Sequence, residues 1–246
     1  MTLASTHAEL GLNRTGIGTS PRLTKDMLEG TDEFLPAIGR DEREIGLERA
    51  SYARDAEPIG SVPPPLTARG VVKTAGAALK GQSPTQLIDK LGERLGFERT
   101  GTRVYEALLS KFDALGSFEG GPSRREIERI LIQEYQHFEL LETALMSLGA
   151  DPTVLTPSAD LHATLTKGIL EVTVDPRTTI VQCLEAALLA ELADNDCWLA
   201  LTDLSRLAGE DGLATSCASA LVEENDHLLS VRRWLRAAQG RAYPGM

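Results

Sequence analysis

Two of the chain's four histidines follow a glutamate at a distance of three residues, in Glu134-Tyr135-Gln136-His137 and Glu224-Asn225-Asp226-His227. On an α-helix, residues three apart share a face, so each motif aims a carboxylate and an imidazole at one point. Both groups ligate first-row transition metals. With 22 Glu in 246 residues, a given histidine has about a one-in-eleven chance of such a glutamate, so one motif alone would be weak. Two motifs are a different matter, because each is preceded by a further glutamate at a matching distance. Glu98 stands 36 residues before Glu134, and Glu191 stands 33 before Glu224. Spans of that length suit the arms of a helical hairpin that holds both residues at one height.

The elements that must carry these residues read as four long helices, at roughly 84–115, 123–148, 177–207 and 212–238. Ser83-Pro84 is a cap and first helical position, and GSFEGGPS at 116–123 and the Gly209 to Gly212 stretch break the pattern. Gly149 to Pro176 is too long for a tight turn and is expected to cross over between the two halves, with a short helix of its own at Asp160 to Val172. In the first helix Leu91, Leu95, Thr102, Tyr105, Leu109 and Phe112 recur at the period of a buried face, and Glu98 falls in that register. Ile127, Ile130, Leu141, Leu145 and Leu148 set the second stripe, which contains Glu134 and His137. The third, with Leu184, Leu188, Trp198 and Leu201, contains Glu191. The fourth, with Cys217, Leu221, Leu228, Val231 and Leu235, contains Glu224 and His227. Each half also places a ring seven residues after its first glutamate, Tyr105 and Trp198, which marks a pseudo-twofold repeat.

An isolated ionised carboxylate in a core costs on the order of several kcal/mol, and four facing one another also repel. Two divalent cations cancel four glutamates, and neutral imidazoles complete the set. A dinuclear metal centre is therefore expected from Glu98, Glu134, His137, Glu191, Glu224 and His227.

With that order of residues, the chain resembles the ferritin-like superfamily of di-iron and di-manganese carboxylate proteins, such as bacterioferritins, rubrerythrins and manganese catalases. The likeness covers about 83–240 and implies an all-α, ferritin-like four-helix bundle with a long crossover between helices two and three. It further implies bridging roles for Glu134 and Glu224 and terminal roles for Glu98 and Glu191. Tyr105 matches a family tyrosine that hydrogen-bonds a ligand carboxylate, whereas Trp198 stands where a second such group would be. No Cys-x-x-Cys module accompanies the bundle, which excludes a complete rubrerythrin, and almost nothing follows helix four to make a fifth, ferritin-type helix.

The resemblance implies two iron ions per subunit, with manganese as the alternative, and oxidation of Fe(II) by O2 or H2O2 in ferroxidase or peroxidase fashion. A di-manganese catalase, an iron store without turnover and an adaptor acting through its tail are the rival readings. Residues 1–82 contain Pro21, Pro36, Pro58 and Pro63 to Pro65, with brief helical periodicity near Asp41 to Arg54. They are expected to form a largely irregular or partner-wrapped N-terminal extension, and 241–246 a short C-terminal tail. Asp194, three residues after Glu191, is a candidate additional or substitute ligand. His162 reads as a surface residue of the crossover, with approach to the metal as its alternative, and His7 lies in the extension. Glu139, Glu142 and Glu223 read as solvated, and Cys183, Cys197 and Cys217 as small packing residues.

Composition limits the partners. Thirty-six acidic residues against 25 basic ones leave a formal charge of −11, which argues against nucleic acid. No uncharged apolar run approaches the ~20 residues of a membrane span, and Met1 to Gly11 lacks the apolar core of a secretory signal. Three cysteines without a paired spacing point to a reducing, cytoplasmic setting. A homodimer or larger homo-oligomer is expected, because long bundles often bury an outer apolar stripe against a second copy.

Overall fold

The computed structural model describes residues 84–242 and, before them, positions 22, 25, 26, 29, 47, 50 and 62. The chain divides into two units, Met1–Pro58 and Ile59–Met246. In the first, Arg22, Lys25, Asp26, Glu29, Leu47 and Ala50 are helical and exposed. The irregular extension expected over 1–82 otherwise lies outside the described residues, as does the tail beyond residue 242.

The described part of the second unit is all-α, with five helices and no strand: α1 (Pro84–Leu115), α2 (Arg124–Ser147), α3 (Pro157–Val174), α4 (Ile180–Leu207) and α5 (Asp211–Ala242). No described helix is long and apolar enough to cross a membrane. Local chemistry sets the ends. Ser123 and Thr179 cap α2 and α4, each in a reciprocal capping box with Glu126 or Gln182. The second box explains why α4 begins at 180 and not at the expected 177, since Asp175 instead folds back onto the N–H of Arg177. Gly116 and Gly209 stop α1 and α4 with φ of 74° at each, a conformation that side chains with a Cβ resist.

α1 packs on α2 and α4 on α5 as hairpins. The crossover is not mainly loop. It forms the 18-residue helix α3, longer at both ends than the expected segment because Thr156 caps it and Pro157 opens it. α3 packs against α1 and α4 and is tied to α1 at both ends. The Asp89 carboxylate accepts from the N–H and Oγ of Ser158 at 2.9 and 2.7 Å, and Lys111 Nζ donates to the carbonyls of Asp175 and Thr178 at 2.6 and 2.9 Å. A side chain at Gly92 would collide with Thr156, so this crossing needs a glycine.

The apolar core is split. One cluster contains Leu87, Leu91, Leu95, Leu141, Leu145, Trp198 and Leu201. The other contains Val104, Leu108, Ile127, Ile130, Leu184, Val231 and Trp234. In sequence register, positions 98, 134, 137, 191, 194, 224 and 227 fall between the two. In α1 the lower stripe turns through Val104 and Leu108, which are buried, leaving the expected Leu109 and Phe112 only partly covered.

Candidate metal centre

Glu98 on α1, Glu134 and His137 on α2, Glu191 on α4, and Glu224 and His227 on α5 all lie within the bundle, none more than 3% exposed. The structure brings them together in overlapping sets whose potential ligand atoms lie within 4.8 Å of one another. One set is Glu134, Glu191, Glu224 and His227; another is Glu98, His137 and Glu224. Each half thus contributes its own glutamate and histidine, while Glu224 belongs to both.

Both imidazoles point Nδ1 inward. His137 Nδ1 is 2.7 Å from Glu224 Oε1 and 3.7 Å from Glu98 Oε2. His227 Nδ1 is 3.3 Å from Glu224 Oε2 and 3.4 Å from Glu134 Oε1. The outward nitrogens are held by a reciprocal exchange between α2 and α5. His137 Nε2 donates to Glu223 Oε2 and His227 Nε2 to Gln133 Oε1, each at 3.0 Å. Each partner is the residue just before the opposite helix's central glutamate. Carboxylate and amide oxygens accept only, so these bonds fix the tautomer and reserve Nδ1 for the interior. Glu223 is therefore not simply a solvated residue, whereas Glu139 is exposed.

The two rings one heptad on also cross between halves. Tyr105 donates its hydroxyl to Glu191 Oε1, and Trp198 Nε1 donates to Glu98 Oε1 at 3.0 Å. Burial, then the charges of Glu191 and Glu134, push the Tyr105 hydroxyl well above its usual range, so it remains a donor. One oxygen on each of these glutamates is thereby fixed. Glu98 Oε2, Glu134 Oε2, Glu191 Oε2 and both Glu224 oxygens have no hydrogen-bonding partner of ordinary geometry. Acceptors clustered this way in a core suit cations.

Asp194 belongs here as well, with Glu98, Glu134 and Glu224, and is 2% exposed. Its partner is Arg94, a buried residue absent from the sequence-based candidates. Arg94 Nη2 is 3.1 Å from Asp194 Oδ1, and Arg94 Nε is 3.2 Å from Glu98 Oε1. Burial opposes the guanidinium's charge, but Asp194 and Glu98 more than offset it, and its proton is held more tightly than usual. With all five carboxylates ionised, they and one guanidinium would carry four negative charges, the complement of two divalent ions. The only sequence signal for Arg94 was its place four residues before Glu98, on the same face.

Protonation reflects the crowding. Burial first, then Glu224 and its neighbours, raise the Glu134 and Glu191 carboxyls well above the usual range. Burial also lifts Asp194, against the pull of Arg94. Burial opposes charge on His137, yet Glu224 and Glu98 raise it to about 11. Glu224 sits between the two histidines, which overcome burial and hold it down to about 2. The centre thus retains protons that metal ions would displace.

A methyl at Gly101, three residues after Glu98, would collide with the Glu134 carboxylate, so the bare backbone gives that side chain its room. His162 does not reach the centre; its Nδ1 meets Glu93 Oε1 at 2.9 Å. His7 lies outside the described residues. Cys183 and Cys217 are buried core residues, but Cys197 is partly exposed and sits beside Glu93. Comparison with protein-family models, curated proteins and solved structures finds no match to this chain.

Proposed function

We propose that the chain is a ferritin-like dinuclear carboxylate protein that oxidises Fe(II) with O2 or H2O2, as a ferroxidase or peroxidase. The observation that carries this reading is the buried convergence of Glu98, Glu134, His137, Glu191, Glu224 and His227, whose potential ligand atoms fall into overlapping sets within 4.8 Å of one another. One ion would be held by Glu191 and His227 and the other by Glu98 and His137, with Glu134 and Glu224 shared between them. Carboxylate-rich sites with imidazole suit iron or manganese more than zinc. Two bound ferrous ions supply the two electrons that reduce the oxidant.

The chain's own part is to shape that chemistry. Tyr105 and Trp198 hold the terminal glutamates in place, and Glu223 and Gln133 orient the imidazoles. The two apolar clusters limit water around the carboxylates. Three free cysteines among the described residues fit a cytoplasmic setting. Exposed Leu189, Leu192 and Leu199 on α4 support self-association as a dimer or larger homo-oligomer. The extension over 1–82 would serve a protein partner.

Metal analysis of the purified protein is expected to show about two Fe per chain, or two Mn if manganese is the resident ion. Anaerobic Fe(II) loading followed by air should produce near-ultraviolet ferric absorption. Protein that takes up neither metal, or Glu134→Ala and His137→Ala variants that oxidise iron like the wild type, would overturn the assignment.

A further inference from the structure

Outside the carboxylate centre, a second set of metal-ligating side chains converges among the described residues: Glu93 from α1, His162 from α3 and Cys197 from α4. It shares no residue with the first. Its three potential ligand atoms lie within 4.8 Å of one another. Glu93 Oε1 is 2.9 Å from His162 Nδ1 and 3.9 Å from Cys197 Sγ. Around a tetrahedral ion with ordinary Zn–O, Zn–N and Zn–S bonds, such pairs stand about 3.3 and 3.6 Å apart. The observed separations bracket these values, so small side-chain adjustments bring all three onto one ion.

Several features favour a ligand group over incidental packing. Glu93 is only 8% exposed, rare for a carboxylate. Its two oxygens are divided, Oε2 taken by Lys90 and Oε1 turned to the imidazole and thiol. The His162 ring is held edge-on against Phe97, with centroids 5.0 Å apart. Thiolate, imidazole and carboxylate together suit a borderline-soft divalent ion, and three protein ligands leave a fourth position for water.

We infer that Glu93, His162 and Cys197 form a mononuclear site for a zinc-type divalent cation, distinct from the carboxylate centre, that pins α3 to α1 and α4. The ion replaces the direct Glu93–His162 contact, and the Cys197 thiol releases its proton to solvent on ligation. Because the site draws one residue from each of three helices, its occupancy fixes the crossover against both halves of the bundle.

Full-length protein, stripped of metal under reducing conditions and titrated with Co2+, tests this directly. A near-ultraviolet sulfur-to-cobalt charge-transfer band is expected, bleached by added Zn2+ and absent in Cys197→Ser. No sulfur lies among the candidate ligands of the carboxylate centre, so the band should survive in Glu134→Ala/Glu191→Ala. That variant separates the fate of this site from the fate of the dinuclear reading. His162→Gln, which keeps the thiol, should bind Co2+ at least ~10-fold more weakly. No band in the wild type, a band that persists in Cys197→Ser, or unchanged Co2+ affinity in His162→Gln would each overturn the proposal.

Discussion

The α1–α2 and α4–α5 hairpins carry the same chemistry at equivalent positions, yet they are not copies. Each supplies a glutamate, a Glu-x-x-His motif and a ring one heptad on, and each ring reaches across to the other half's glutamate. The differences lie beside these shared parts. Three residues after its first glutamate, the first half has Gly101 and the second has Asp194; four residues before it, the first has Arg94 and the second Ala187. The outward imidazole bond ends on a carboxylate for His137 and on an amide for His227. In the proposed reading the shared residues would supply two cation positions, and the unshared ones would make those positions unequal. The added charges stay balanced because Asp194 and Arg94 occur together.

The sharpest way to break the symmetry argument is at Glu224, the shared residue that lies between the two histidines. Glu224→Ala should abolish tight uptake at both positions, whereas Glu98→Ala or Glu191→Ala should leave about one ion per chain, as read by metal analysis after desalting. Equal loss from all three variants would show that the halves do not act as separate positions.

Arg94→Ala removes one member of a buried pair and should destabilise the metal-free protein by about 3–5 kcal/mol in urea unfolding. Arg94→Ala/Asp194→Ala makes the two halves more alike and should recover most of that loss. A double variant as unstable as the single would mean that Arg94 acts through Glu98 or through packing rather than by balancing Asp194.

Gly101→Ala is expected to cost about 1–3 kcal/mol by overpacking and to weaken metal uptake without removing a donor, because the methyl displaces Glu134. Glu223→Gln gives both imidazoles the same kind of partner and should weaken the His137 position by roughly 10-fold. Stepwise metal titration should then show two more nearly equal affinities.

A pH series probes the crowding that both halves create. The carboxyls of Glu134 and Glu191 are raised by burial and by neighbouring acids, so the folded, metal-free protein binds more protons than the unfolded chain. Its stability should fall as pH rises above the ordinary carboxylate range. His137 acts with the same sign: its contribution is complete below pH 6.5 and is lost as pH climbs through about 11. Glu224, held down to about 2, acts oppositely, and only in acid. In chelator, melting temperature should drop between pH 5.5 and 8.5, less steeply in Glu134→Gln/Glu191→Gln, and bound metal should flatten the profile.

Much of this arrangement was legible before any tertiary contact was known. Helical periodicity and caps are local, so the four long helices and their glycine stops could be read from residues a few positions apart. The register of Glu98, Glu134, His137, Glu191, Glu224 and His227 on their apolar stripes is equally local. Arg94 and Gln133 escaped notice and Glu223 was read as solvated, because the bonds to Asp194, His227 and His137 that set their roles reach into another helix. Whether a polar residue at a stripe's edge turns inward depends on helix rotation. The Thr156 cap and Pro157 that lengthen α3 are local signals that the sequence reading passed over, whereas its ties to Asp89 and Lys111 involve segments far apart in sequence.

By itself the sequence determined which faces of the helices are buried and which acids and imidazoles lie on them, because side-chain direction along a helix follows from spacing alone. Only the tertiary structure decided how those faces meet. It set Glu224 between the histidines, matched Arg94 with Asp194, and brought Glu93, His162 and Cys197 together from three helices. Such pairings depend on the relative rotation and height of packed helices, which no local periodicity encodes.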